Sequence, residues 1–214
     1  MHAPEPFAVT DADMIDAMIR RARLGVLVTS GAEGLCASHL PLLWDAERRR
    51  LCGHLARANP QRASAHAEDA LVILSGADAY VSPSAYASKA EHGRVVPTWN
   101  YEAVHLWGRV EWFEEPDRLR RLLAGLTGTH EAARASPWSV DDAPADYVTR
   151  MLAAIVGVEL VVTRIEAVSK LSQNRSPADR DGVAAALGVS ADPRDREIAA
   201  RMTEVERAAD RSRG

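Results

Sequence analysis

The chain has 214 residues, of which 47% are hydrophobic and 26% are charged, enough to build one large domain with a substantial core. Its 26 basic and 30 acidic residues give a net charge of −4, a balance that does not favour nucleic acid or an anionic membrane as a partner. Two cysteines, Cys36 and Cys52, are too few for a disulfide framework. The sequence has neither a charged-then-apolar leader nor an apolar run near ~18 residues, so we expect a cytoplasmic protein with no membrane association.

The first half of the sequence predicts one helix followed by short strands. Thr10 and Asp13 have capping-box spacing, and apolar side chains repeat with helical period across residues 10–22. Strand-like segments separated by turn residues follow at residues 24–30, 35–44, 50–56 and 70–75. Residues 80–94 are predicted to be loop with short helical pieces.

The second half predicts one or two further strands and then helices. Residues 95–113 are strand-like with a break at Pro97. Leucines spaced i, i+3, i+4 and i+7 after Pro116 predict a helix, and apolar residues between 147 and 155 predict another. A strand at residues 156–165 precedes a polar segment and two polar helices, the last at residues 192–210.

Antiparallel-looking hairpins with helices between and after them indicate a mainly β, α+β fold, a split antiparallel β-barrel decorated by helices. We expect residues 1–175 to form the barrel domain. Residues 176–214 should form a C-terminal helical extension of the same domain.

The predicted strand at residues 104–113 has two different faces. One carries Val104, Leu106, Val110 and Trp112 and should pack in the core; the other carries His105, Trp107, Arg109 and Glu111. The second face is a solvated face, an oligomer interface or a ligand wall, and strand periodicity leaves these three alternatives open.

The end of the strand at residues 50–56 carries a second polar group. Arg57 and Asn59 follow the strand, and a guanidinium is a natural phosphate ligand, although an Asn-Pro turn at the surface explains both residues equally well. If Trp44 pairs with Arg49, His39 lies opposite His54. Two such histidines would ligate a metal or haem iron, frame a ligand, or simply be half-buried and hydrogen-bonded. No third metal ligand is evident in the sequence, so the last interpretation is favoured over a metal site.

A third polar group, Lys-Leu-Ser-Gln-Asn-Arg at residues 170–175, follows the long strand. It is either a polar loop before a helix or a set of hydrogen-bond donors to an anionic or carbonyl-rich ligand.

Several motifs occur together in chain order: Ala-Ser-His-Leu-Pro at 37–41, Gly-His-Leu-Ala-Arg-Ala-Asn-Pro at 53–60, Tyr-Val-Ser-Pro-Ser at 80–84, Val-Val-Pro-Thr-Trp-Asn-Tyr at 95–101 with Val-His at 104–105, Pro-Trp at 137–138, Ala-Ile-Val-Gly at 154–157, and the segment at 170–175. From about residue 6 to residue 188 the chain resembles the PaiB family, FMN-binding split-barrel proteins that are often described as negative transcriptional regulators.

The resemblance implies a homodimer with FMN near the subunit interface. The residues at matching motif positions that it offers as cofactor contacts are His54, Arg57, Asn59, Thr98, Trp99, Asn100, His105, Lys170, Ser172, Gln173 and Asn174.

Two segments depart from the family pattern. Ala85 stands where the family generally has Trp, and Ala167-Val168-Ser169 precede Lys170 where the family has Gly-Lys-Trp. If these positions line the pocket, we expect a larger pocket with less stacking surface and less positive charge. The wider family resembles haem-dependent enzymes as well, which keeps haem as an alternative cofactor with His54, His39 or His105 as axial ligand.

Three functions follow from these observations. The first is an FMN-binding protein that is a flavin-dependent redox enzyme or a ligand-sensing regulator. The second is a haem protein or haem-dependent enzyme on the same scaffold, and the third is a transcriptional regulator without catalysis. Residues 175–213 contain eight arginines and eight acidic residues, so direct DNA binding by these helices is not expected.

Overall fold

The computed structural model describes residues 1–64 and 70–211. The strands are β1 (Ala8–Val9), β2 (Gly25–Gly31), β3 (Gly34–Leu40), β4 (Leu42–Asp45), β5 (Arg50–Ala56), β6 (Ala70–Val81), β7 (Thr98–Phe113) and β8 (Ile155–Lys170). The helices are α1 (Ala12–Arg21), α2 (Gln61–Ser64), α3 (Ser88–His92), α4 (Pro116–Glu131), α5 (Ala145–Ala153), α6 (Pro177–Gly188) and α7 (Pro193–Arg211). Short 3-10 helices cover Glu5–Phe7, Pro83–Ala85 and Val140–Asp142.

The strands form one sheet in the order β3-β2-β6-β7-β8-β5-β4, and β1 pairs with β8. The pairs β1–β8, β2–β3, β2–β6, β4–β5 and β5–β8 are antiparallel. The predicted fold class, an antiparallel β structure decorated by helices, is confirmed. No helix in the described part of the chain is both long and apolar enough to span a membrane.

The chain divides into two compact units, which are described separately. The terminal unit comprises Met1–Met18, Ser75–Val104 and the residues from Glu166 onward; the central unit comprises Ile19–Leu74 and His105–Ile165. The last three residues of the predicted helical extension, 212–214, lie outside the described residues.

The core of the central unit contains the leucines of α4 whose spacing predicted a helix after Pro116. Leu119, Leu122 and Leu126 of α4 are buried together with Phe113 and with side chains from the segment around α5. Pro116 stands in the first turn of α4, where its missing N–H costs no helical hydrogen bond.

The core of the terminal unit is formed largely by the C-terminal helices. Val183 and Leu187 of α6 and Ile198, Ala199 and Met202 of α7 are buried in one cluster. The cluster is completed by residues from β6, the segment after it and the end of β8, namely Ala79, Val81, Tyr86 and Leu171.

The alternation predicted for residues 104–113 holds only as far as Val110. Val104, Leu106 and Val110 are buried, whereas Trp112 is half-buried and Phe113 takes the buried position. The buried face of β7 therefore changes phase by one residue near its end, and the placement of Trp112 in the core was wrong.

The predicted pairing of Trp44 with Arg49 was also wrong. Arg49 has a positive φ of 52° and belongs to the turn, so the closing pair is Asp45 with Arg50 and Trp44 lies opposite Leu51. The turn is held by the Arg48 backbone N–H, which donates to Asp45 Oδ1 at 3.0 Å.

The corrected register separates the two histidines. The predicted strand at 35–44 is interrupted at Pro41, so His39 lies in β3 opposite Val26 and His54 lies in β5 opposite Gly157. His39 and His54 are therefore not a cross-strand pair.

Candidate functional site

The predicted site residues fall into two groups, one in each unit. His39, His54, Arg57, Asn59 and His105 belong to the central unit. The terminal unit contains the others, Thr98, Trp99, Asn100, Lys170, Ser172, Gln173 and Asn174.

Arg57 follows the last residue of β5 and is held by three acceptors. Its Nε donates to the Ala153 carbonyl at 2.8 Å, its Nη2 to the Ile155 carbonyl at 3.2 Å, and its Nη1 to Glu114 at 2.5 Å. These bonds fix the plane of the guanidinium at the point where β8 begins. A fixed guanidinium loses less conformational entropy when it binds a ligand.

Arg62 of α2 pairs with the same carboxylate, so two guanidiniums share Glu114. All three side chains are 38–39% exposed. The hydrogen bond from Arg57, and then the charges of both arginines, hold the pKa of Glu114 below its ordinary value. One carboxylate balances only one of the two cations, which leaves a surplus positive charge at the surface.

Asn59 and Gln61 fix the turn after β5 against the neighbouring hairpin. Asn59 Oδ1 accepts from the Gln61 backbone N–H at 2.9 Å, and its Nδ2 donates to Ser38 Oγ at 3.0 Å. The fully buried Gln61 directs Nε2 to the Leu27 carbonyl at 3.0 Å and to Thr29 Oγ1 at 3.1 Å. Sequence reasoning missed Gln61; the only signal was an amide directly after the Asn-Pro turn.

His54 is the histidine with the most unusual surroundings. Its Nδ1 is buried and has no hydrogen-bond partner within the described part of the chain, and burial lowers its pKa. The ring is therefore neutral near pH 7 and retains an unused nitrogen. His39, in contrast, is exposed.

The polar face of β7 is built around Trp107. The His105 ring contacts it edge to face, with 5.5 Å between centroids, and the Arg164 guanidinium lies 3.7 Å from its centroid. Trp107, Arg109 and Arg164 line an open cavity of about 580 Å³. This face thus borders a cavity large enough for a small ligand, which agrees with its interpretation as a ligand wall.

In the terminal unit, the side chains of Asn100 and Ser172 form hydrogen bonds with each other inside the fold. Both are buried, Asn100 Nδ2 donates to Ser172 Oγ at 3.0 Å, and Ser172 Oγ lies 3.1 Å from Asn100 Oδ1. Ser172 adopts a left-handed conformation with φ of 65°. Gln173 closes the same turn, since its Oε1 accepts from the Leu171 N–H at 2.7 Å and its Nε2 donates to the Ser169 carbonyl at 2.5 Å.

The remaining predicted residues of this unit are more accessible. Lys170 Nζ donates to Thr98 Oγ1 at 2.6 Å, and both side chains are half-buried. Trp99 is 52% exposed and contacts Tyr80 edge to face at 5.8 Å between centroids. Asn174 is exposed. Among the predicted residues of this unit, Thr98, Trp99, Lys170 and Asn174 thus offer side-chain surface to a ligand.

A buried acid was missed by sequence reasoning. Glu102 accepts a hydrogen bond from Ser169 Oγ at 2.9 Å and two from Arg201, from Nε at 3.0 Å and from Nη2 at 3.2 Å. The exposed fractions of the Glu102 and Arg201 side chains are 7% and 14%. Arg201 lies 99 residues away in the sequence, so no local pattern indicates the pair.

The positions that depart from the family pattern lie in packed regions. Val168 and Ser169 are 1% and 2% exposed, and Ala85 packs against the core cluster of the C-terminal helices. Ser169 is engaged with Glu102, as described above. The smaller side chains are thus accommodated by packing and hydrogen bonding. An enlarged pocket was expected only if these positions line it, and they are packed inside the fold instead.

A family model described as "Putative FMN-binding domain" matches residues 1–164. The chain belongs to this FMN-binding domain family. The protease synthase and sporulation protein PAI 2 of Bacillus subtilis (strain 168) is 34% identical over 205 residues, which cover 94% of this chain and 96% of the relative. The predicted PaiB-type membership is therefore confirmed.

Two solved structures share the fold of this family member. The FAD and haem binding protein from Mycobacterium smegmatis superposes with a TM-score of 0.56 at 18% identity, covering 76% of this chain and 73% of that chain. The flavocytochrome Anf3 from Azotobacter vinelandii gives a TM-score of 0.51 at 16% identity, covering 76% of this chain and 68% of that chain. At such identities the similarity shows a common architecture.

Proposed function

We propose that this protein binds FMN and that Arg57 and Arg62 of the central unit hold the phosphate. The observation that carries the proposal is the convergence of two guanidiniums, Arg57 directly after β5 and Arg62 of α2, on the single half-buried carboxylate of Glu114. Arg57 lies in one of the motifs shared with the FMN-binding family.

The chemistry of these side chains fits a phosphate ester. A guanidinium has five N–H donors, and the contacts of Arg57 to Ala153, Ile155 and Glu114 use three of them within the described residues. The free donors and the surplus charge suit a dianionic phosphate, which guanidiniums bind through paired hydrogen bonds. Asn59 fixes the turn between the two arginines through its bonds to Ser38 and Gln61.

His54 supplies a polar group of the same strand for the flavin. Its buried, unpartnered Nδ1 is an orphaned atom that a bound ligand would satisfy. When bound, FMN brings the redox chemistry, and the side chains of the chain bind and orient it. A redox enzyme and a ligand-sensing regulator are both compatible with such a site.

The second part of the proposal concerns the terminal unit and oligomeric state. Thr98, Trp99, Lys170 and Asn174 are proposed as cofactor contacts. Asn100, Ser172 and Gln173 act by fixing the turn after β8, next to Lys170 and Asn174. We further propose a homodimer with the cofactor near the interface, as the family resemblance implies. Sedimentation of the FMN-loaded protein tests this, and a monomer that retains full FMN affinity would contradict it.

The phosphate assignment is tested by comparing FMN with riboflavin, which has the same ring and lacks the phosphate. Arg57→Ala and Arg62→Ala should each weaken FMN binding about tenfold, because a charge-assisted hydrogen bond is worth roughly 1.5–3 kcal/mol. Riboflavin affinity should change much less. Quenching of flavin fluorescence measures both.

Arg134→Ala is the matched control, since Arg134 is an exposed arginine paired with Glu131 on α4. It should leave both affinities unchanged. If Arg57→Ala and Arg62→Ala weaken FMN and riboflavin equally, the phosphate does not bind at these arginines.

His54 also supports a second candidate, haem binding. A neutral imidazole with an unused ring nitrogen is the form that ligates haem iron. Titration with haemin should then give a Soret band that His54→Ala removes and that His39→Ala, at an exposed position, does not. Absence of a Soret band in the wild-type protein would eliminate this candidate.

A further inference from the structure

A cavity of the central unit is lined by residues other than Arg57, Arg62 and Glu114. It measures about 790 Å³ and is lined by residues from β4, β5, β7, β8, α1, α4 and the turn between β4 and β5. Five arginines line it, Arg20, Arg48, Arg50, Arg118 and Arg121. Three acidic residues, Asp45, Glu47 and Glu159, also line it, so arginines outnumber carboxylates in the lining. Arg50 additionally pairs with Glu111, which does not line the cavity.

The innermost charged group of this cavity is Glu159, whose side chain is 7% exposed. Its Oε1 pairs with Arg50, and its Oε2 pairs with Arg118 Nη2 at 3.0 Å and accepts a hydrogen bond from Cys52 Sγ at 3.1 Å. Burial alone would raise the pKa of Glu159, but the hydrogen bonds from Cys52, Arg50 and Arg118 outweigh it and hold that pKa below its ordinary value. Glu159 is therefore ionised and orients two of the arginines.

Arg118 is oriented a second time by an aromatic ring. Its guanidinium carbon lies 3.8 Å from the centroid of Phe113 while one of its nitrogens bonds Glu159. A guanidinium held between a ring and a carboxylate keeps its remaining N–H donors in a defined plane. Arg121, one turn further along α4, is exposed and makes no ion pair with the described residues.

The cavity also has an apolar part. Leu43, Trp44, Phe113 and Leu122 line it beside the arginines. Its volume lies in the range of pockets for small organic ligands and is far larger than an inorganic ion requires.

We propose that this cavity is a second ligand site, which binds a small organic oxyanion, a carboxylate or phosphate attached to an apolar body. Arg118 and Arg121 bind the oxyanion, and the apolar wall packs against the body of the ligand. Carboxylate and phosphate each present two oxygens that can accept paired hydrogen bonds from one planar guanidinium.

The experiment is calorimetric titration of the full-length, FMN-saturated protein with benzoate, phenyl phosphate and inorganic phosphate, and with benzylamine as a cation of similar body. Benzoate or phenyl phosphate should bind, the tighter of the two identifying the oxyanion. Inorganic phosphate and benzylamine should bind at least tenfold more weakly. Raising the salt concentration should weaken the binding because the arginines are partly exposed.

Two variants locate the site. Arg121→Ala should weaken the binding about tenfold, the loss expected for one charge-assisted hydrogen bond. Arg150→Ala removes the same charge from an exposed ion pair on α5 and should have no effect.

Three results would overturn the proposal. The first is that neither organic anion binds. The second is an equal effect of Arg121→Ala and Arg150→Ala, which would indicate unspecific charge attraction. The third is displacement of the bound anion by excess FMN, which would make this cavity the flavin site. In that case Arg57→Ala and Arg62→Ala should leave the affinity for FMN unchanged.

Discussion

Cys52 illustrates how burial and one charged neighbour together change the chemistry of a residue. Burial, and then the hydrogen bond to Glu159 and the charge of that carboxylate, raise the pKa of the Cys52 thiol to about 12. Almost no thiolate is present at pH 8, and the thiolate is the reactive form. Alkylation of Cys52 by iodoacetamide at pH 8 should therefore be at least about a hundredfold slower in the folded protein than in denaturant. Peptide mass spectrometry measures both rates, and equal rates would show that the thiol is accessible and ionised.

The burial of His54 should make the stability of the folded protein depend on pH. Burial lowers its folded-state pKa below the unfolded value of about 6.5, so the unfolded chain binds more protons in this range. The stability that neutral His54 contributes to the folded state is fully present above about pH 6.5. This stability is lost as the pH falls from there towards the folded-state pKa of His54. Urea unfolding should show that the wild-type protein loses more stability between pH 7.5 and pH 5 than His54→Gln does. Parallel losses in the two proteins would contradict this assignment.

At the scale of the secondary-structure elements, two glycines have opposite roles. A Cβ at Gly108 in β7 would overlap the backbone carbonyl of Val161 in β8, whereas a Cβ at Gly128 in α4 would meet no atom within 4 Å. Gly108→Ala should destabilise the protein by about 1–3 kcal/mol or more, because backbone must move. Gly128→Ala should stabilise it by about 0.5–1 kcal/mol through lower unfolded-state entropy. Equilibrium unfolding measures both, and a neutral Gly108→Ala would mean that the two strands separate at no cost.

The pair of Arg201 and Glu102 joins α7 to β7 within the terminal unit. Arg201→Ala leaves a carboxylate that is 7% exposed without its cation and should cost about 3–5 kcal/mol. Adding Glu102→Gln should recover part of the lost unfolding free energy, since it removes the carboxylate charge that Arg201→Ala leaves unpaired. Arg207→Ala, at an exposed position on the same helix, is the control and should change the unfolding free energy by less than about 0.5 kcal/mol. Equal effects of Arg201→Ala and Arg207→Ala would show that the buried pair contributes nothing.

For the whole molecule, the C-terminal helices are expected to be indispensable. Five of the nine buried residues in the terminal core cluster come from α6 and α7. A chain ending at Arg175 would expose the partners of these residues, Ala79, Val81, Tyr86 and Leu171, to water. It should lack a cooperative unfolding transition that the full chain shows by circular dichroism. A shortened chain as stable as the full one would make residues 176–211 an independent domain.

The sequence predicted those parts of the molecule that depend on local periodicity. The strand Arg50–Ala56 and the buried leucines of α4 were predicted correctly because their apolar spacing is strong. The β4–β5 register was not, because the left-handed conformation of Arg49 moves it into the turn and no Gly or Asn signals this. The candidate residues Asn100 and Ser172 are polar side chains in recognisable motifs, but only tertiary structure shows that they bond each other across 72 positions.

The hydrogen bond from Ser169 to Glu102 has a consequence for sequence evolution. Ser169 occupies the position where the PaiB-type pattern has Trp, and it is buried with an acid that is itself paired with Arg201. An indole at this position would displace the hydroxyl donor and require more room beside the carboxylate. The three positions should therefore covary, so that relatives with Trp at position 169 lack the acid at 102 together with the base at 201.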